Sequence, residues 1–108
     1  MANVLTDDWW KAHMPKGWSG TGISECLRTF VKKDSAVTAS GISLSEVRGV
    51  DPSLLAVAKE AKAAAIDART RLRNTLAAAH PPPSADEQAD IDTLDRELTK
   101  AIDQYKNV

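Results

Sequence analysis

Three side chains in this 108-residue sequence have the chemistry of a nucleophile and its base: Cys26, His13 and His80. A thiolate activated by a neighbouring imidazole can perform covalent catalysis, and Cys26 falls early in a helical pattern, where the helix dipole lowers a thiol's pKa. Against this, Cys26 flanks the apolar stripe Ile23, Leu27 and Phe30, the common setting of an inert thiol. His80 stands at a helix end beside a proline run, where a structural cation is favoured. Nothing in the spacing brings either histidine to the cysteine. A small cysteine-dependent hydrolase is therefore ranked last of three functional readings, and the chain is expected not to be an enzyme.

Metal and phosphate chemistry find less support. Asp86, Glu87, Asp90 and Asp92 are numerous, but no histidine is spaced with them as in a di-iron bundle, so they read as a solvated face at the positive end of a helix. Gly17, Gly20 and Gly22 lack the lysine and preceding strand of a phosphate-binding loop. No cofactor and no metal are expected. The residues left with potential are the three tryptophans, Trp9, Trp10 and Trp18, all within the first eighteen positions. They serve either as bulk for an otherwise alanine-rich core or as anchors for a protein partner, since tryptophan dominates interface hot spots. They are the candidate partner-binding residues.

These residues must be positioned by helices. Thr6-Asp7-Asp8 opens a short one, with a threonine cap and two carboxylates at the dipole's positive end, and Pro15 and Gly17 stop it. Pro15 to Gly22 reads as a loop. Ile23, Leu27, Phe30 and Val31 lie on one face of a second helix that the pattern carries to about Lys33. Residues 34–50 read as irregular. The alternation through Val37, Ala39, Ile42 and Leu44 suits a short strand, while Ser43 to Glu46 has the spacing of a capping box.

The strongest pattern begins at Asp51-Pro52, a cap followed by a proline suited to the first helical position. After Pro52 the segment to Ala79 has no glycine or further proline, and Leu54, Ala58, Ala61, Ala65, Ala68, Leu72, Leu76 and Ala79 form a heptad-like seam. His80 to Pro83 ends it, and Ser84-Ala85-Asp86-Glu87 starts the next helix with a capping box. Ile91, Leu94, Leu98, Ala101, Ile102 and Tyr105 then recur at steps of three and four over 84–106. A four-residue connection makes the two helices antiparallel neighbours. Arg69, Arg71 and Arg73 precede the turn about as far as Asp86, Glu87, Asp90 and Asp92 follow it, so these are expected to meet across the hairpin.

The expected fold is all-α. A long antiparallel hairpin (about 52–79 and 84–106) has two shorter N-terminal helices packed against it, in a single domain over 1–108 with short helices and loops before residue 51. With 43% hydrophobic and 27% charged residues the chain has the composition of a folded protein, not a disordered one. A net charge of −1 gives no general attraction to nucleic acid or anionic membranes, and neither is expected as a partner. One cysteine excludes an intrachain disulfide, and no secretory signal or spanning segment is visible, which points to the cytoplasm, with signal-less export left open. The first functional reading is a non-enzymatic protein-interaction module: an adaptor, a chaperone or an inhibitor of the immunity type. The alternative is a self-assembling or accessory subunit of a phage or secretion apparatus, in which the seam packs between copies as a homo-oligomer.

Overall fold

A computed structural model describes residues 4–42 and 49–108. They form four α-helices: α1 (Asp7–His13), α2 (Ile23–Ser40), α3 (Pro52–Ala78) and α4 (Ala85–Gln104), with a single 3-10 turn over Trp18–Thr21. No strand occurs among the described residues.

The helix starts follow local chemistry. Thr6 Oγ1 accepts from the Trp9 amide at 3.3 Å, and Asp51 Oδ1 accepts from the Ser53 amide at 2.8 Å with Pro52 behind it. At α4 the box closes in both directions. The Glu87 amide donates to Ser84 Oγ at 3.2 Å, and the Ser84 amide donates to Glu87 Oε1 at 3.0 Å. The capping-box spacing at Ser43 to Glu46 lies outside the described residues.

The one departure in helix extent is α2, which runs to Ser40 and not to Lys33. Val37, read above as part of an alternating strand, stands seven residues after Phe30 on the same helical face, and it is fully buried there. Packing of that one side chain carries the helix through the weak formers Asp34, Ser35 and Thr38. Gly41, at φ +73°, then ends it with its amide on the Thr38 carbonyl.

The three longer helices run up, down and up. Lys33 Nζ pairs with Glu60 at 2.7 Å and Arg71 Nη1 reaches the Thr21 carbonyl at 2.9 Å, which sets α2 antiparallel to α3. Arg73 Nε meets Asp95 Oδ2 at 2.8 Å and Arg69 Nη1 meets Thr99 Oγ1 at 3.3 Å, which sets α3 antiparallel to α4. Both of these pairs are symmetric about Ser84. The expected partners Asp86, Glu87, Asp90 and Asp92 are therefore not the ones used: the first turn of α4 lies opposite the prolines and the last turn of α3, which carry no arginine. Arg71 turns to the other side and holds the loop before α2.

Small and large side chains divide the core between them. The α3 seam contributes Ala58, Ala61, Ala65, Ala68 and Leu72, all with no exposed surface. Alanines let α2 come close to α3, and α2 lies nearer to it than α4 does. Volume comes from the flanks: Ile23, Leu27, Phe30 and Val37 from α2, and Ile91, Leu94, Leu98 and Tyr105 from α4 and its end. Each of the larger side chains contributes roughly 1.5–3 kcal/mol of transfer free energy. Phe30 and Tyr105 meet edge to face with ring centroids 6.3 Å apart, and the Tyr105 hydroxyl donates to Asp34 Oδ1 at 2.6 Å. The middle of the seam, Ala58 to Leu72, is thus covered within one chain, while Leu54, Leu76 and Ala79 are half-buried. The resulting body is 49 × 26 × 20 Å.

Candidate functional site

The N-terminal segment forms a layer over one end of the bundle, where α2 begins and the α3–α4 turn lies. Trp9, Trp10 and Trp18 are 9, 5 and 7% exposed, so the structure places all three indoles in the core cluster. Adjacent tryptophans point about 100° apart on a helix, and both are buried because α1 is covered on more than one side. The outer face of Trp9 is stacked by His13 at 4.6 Å, and His13 Nδ1 lies 2.9 Å from the Trp9 carbonyl oxygen. Two polar ties fasten the layer. Arg28 Nε donates to both carboxylate oxygens of Asp7 at 2.9 Å, joining α2 to the start of α1. Arg71 holds the Thr21 carbonyl and packs on Gly22, where an added Cβ would come within 3.0 Å of Nη1 and φ is +84°.

Two clefts open in this layer, on either side of Pro15 and Lys16. The larger, about 570 Å³, lies toward the hairpin turn and is lined by Trp18, Thr75, His80 and the three prolines 81–83. The smaller, about 340 Å³, lies toward the start of α2 and is lined by Trp10, Lys11, Met14, Lys16, Gly17, Ser19, Ser24 and Arg28. Among the described residues, three cations and no carboxylate line the second cleft, while Glu87 is the one carboxylate on the first, with its Oε1 engaged in the capping box. Trp18 and Trp10 therefore act as walls of these clefts while their bulk remains in the core.

The nucleophile and the two imidazoles are not brought together. Cys26 lines a groove between α2 and α3 with Glu25, Lys33, Glu60 and Asp67, whereas His13 is held on Trp9 and His80 lies on the turn cleft. Burial pushes the Cys26 thiol above its ordinary pKa, with the Asp67 and Glu25 carboxylates acting in the same direction against the opposing pull of Arg71. A thiol so placed resists forming the nucleophilic thiolate. Among the described residues no group of three or more His, Cys, Asp or Glu is placed to hold a metal ion, and no helix is long and apolar enough to cross a membrane.

Sequence reasoning singled out the tryptophans and missed the basic cleft beside them. Lys11 and Lys16 fall outside the apolar periodicity, and Arg28 reads as an ordinary exposed helical position. The one available signal was Ser24, a hydroxyl set on the apolar face between Ile23 and Leu27. Comparison of the chain with known protein families, with curated proteins and with solved structures finds no match.

Proposed function

We propose that this chain is a non-enzymatic protein-interaction module, of the adaptor, chaperone or inhibitor type, that receives a segment of a protein partner in the N-terminal layer. The observation that carries this reading is the pair of clefts, about 570 and 340 Å³, that share Pro15 and Lys16 and take one wall each from Trp18 and Trp10. A concave surface with aromatic and proline walls and a polar rim is the kind that accepts a side-chain anchor or a short segment from another protein. In this reading Trp9 supports the layer from within, while Trp10 and Trp18 present the parts of their rings that line the clefts. The polar ties to Arg28 and Arg71 hold the walls in place before a partner arrives, which lowers the ordering cost of binding.

A photo-crosslinking side chain at position 16 tests the proposal in the native host. The same group at Lys59, exposed on α3, serves as the control. Capture of a discrete protein from position 16 and not from position 59 is the expected result. Equal capture from both sites, or none from position 16, contradicts it.

A further inference from the structure

The chemistry of the two cleft walls specifies the kind of segment they take, an inference that rests on the proposed function. The larger cleft has an apolar side formed by Trp18, Ala79 and prolines 81–83, which suits a large apolar side chain. The smaller one is lined by Lys11, Lys16 and Arg28 with Trp10 and Met14, and among the described residues no carboxylate joins them. Pro15 and Lys16 belong to both walls, so a bound segment that fills one cleft reaches the other within a few residues.

The positive charge at this end is only partly cancelled within the chain. Arg28 is matched by Asp7 at 2.9 Å. The ammonium groups of Lys11 and Lys16 form no ion pair among the described residues, and both side chains are exposed. Asp8 lines neither cleft, and Glu87 on the larger one has Oε1 in the capping box. The whole chain carries −1, so the acidic excess lies elsewhere on the molecule. An unpaired positive edge beside an apolar recess complements a segment with carboxylates beside an apolar anchor. A nucleic acid fits the same charge less well. Strand binding draws on a track of cations and on open aromatic faces for base stacking, whereas Trp10 and Trp18 are 5 and 7% exposed and two lysines do not form a track.

We propose that the clefts receive an acidic segment of the partner protein. An apolar side chain of that segment seats against Trp18 and the prolines, and aspartate or glutamate residues close to it in sequence pair with Lys11 and Lys16. Exposed ion pairs of this kind contribute roughly threefold each to affinity. The anchor therefore supplies most of the binding, and the two lysines supply the choice of partner and a faster encounter at low salt.

The test is selection from a displayed library of short random peptides, run on the full chain and on Lys11→Glu/Lys16→Glu. The native chain is expected to select peptides in which acidic residues outnumber basic ones beside a large apolar residue. The variant is expected to keep the apolar residue and reverse the charge preference. The best native peptide, made synthetically, should shift the amides of residues 16–19 and 75–80. It should bind about tenfold more weakly to Lys11→Gln/Lys16→Gln, a milder change at the same exposed positions that serves if the charge reversal disturbs folding. Raising salt to about 0.5 M should cost the native chain a similar factor and the variant little. Peptides that reach the clefts without an acidic bias, or with a bias unchanged in the variants, overturn the charge assignment and leave the clefts as a partner site. No peptide that moves those amides overturns this proposal, and the crosslink at position 16 then decides the wider reading separately. A single-stranded oligonucleotide of mixed sequence that moves the same amides as strongly as the peptide overturns it in favour of a nucleic acid.

Discussion

Removing a single oxygen, by Tyr105→Phe, probes how α4 is fastened to α2. The phenol is fully buried, and its hydroxyl donates to Asp34 at 2.6 Å across 71 residues of sequence. Phenylalanine keeps the ring and its edge contact with Phe30, so the change isolates the hydrogen bond. A buried bond to a charged acceptor contributes roughly 1.5–3 kcal/mol. Asp34 is half-buried and regains water when the hydroxyl is gone, which puts the expected loss near the lower end, about 1.5 kcal/mol. For a chain of this length that lowers Tm by roughly 6 °C.

The same substitution has a pH signature. Burial, with the Asp34 hydrogen bond and charge adding to it, raises the Tyr105 pKa above its ordinary value near 10. The folded state thus binds the phenolic proton more tightly than the unfolded state does. The stabilisation is fully present below about pH 10 and is lost as pH rises above it, with a slope of up to about 1.4 kcal/mol per pH unit from this group. Urea unfolding from pH 7 to pH 11 checks both parts. The native chain loses stability above pH 10 faster than Tyr105→Phe, and the two curves converge. Parallel pH curves, or a loss at pH 7 under about 0.3 kcal/mol, would refute the reasoning, because they would mean that the hydroxyl is hydrated in the native state.

Three further substitutions test the packing and the polar ties. Ala65→Leu places a large side chain in the seam, at a position with no exposed surface, and is expected to destabilise by about 1–3 kcal/mol in urea unfolding; a neutral result would show that α3 is not in close contact with its neighbours there. Ser84→Ala opens the capping box of α4 and should cost about 1 kcal/mol, measured in the same way, with Ser84→Gly costing less. Asp95→Asn removes the carboxylate that accepts twice from Arg73, whose hydrogen bonds hold the Asp95 pKa below its ordinary value. A depressed carboxylate stabilises above the unfolded pKa near 4, and that contribution is lost as pH falls through the lower folded value, so native and variant stabilities should draw together as the solution is acidified and in about 1 M salt; a gap unchanged in both conditions would contradict an exposed ion pair.

The hairpin was legible because local and periodic signals coincide there. Asp51-Pro52, the triple proline and the Ser84 box mark ends that capping chemistry specifies within four residues, and the seam needs only the helical period. The C-terminal half of α2 was hidden, since Asp34, Ser35, Thr38 and Ser40 are poor helix formers and the stabilising contact is Val37 against distant helices. The arginine partners were misjudged by less than one helix length. Sequence distance from a turn does not reveal how many residues the turn itself takes up. The tryptophans were visible as unusual residues, but a list of types does not say that His13 and the start of α2 close over them. The basic cleft is a tertiary product of a loop, a 3-10 turn and a helix start, and no window of sequence contains it.

The N-terminal layer is closed in the free protein, with Trp10 and Trp18 as cleft walls and Trp9 in the core behind them, and the three do not form a loose aromatic arm. Acrylamide quenching of the native, unbound chain reads this most directly. Blue-shifted emission with weak quenching, rising to full accessibility only on unfolding, is the predicted result. Native emission quenched as readily as in denaturant would show that the layer stands open, and the clefts on either side of Lys16 would not exist.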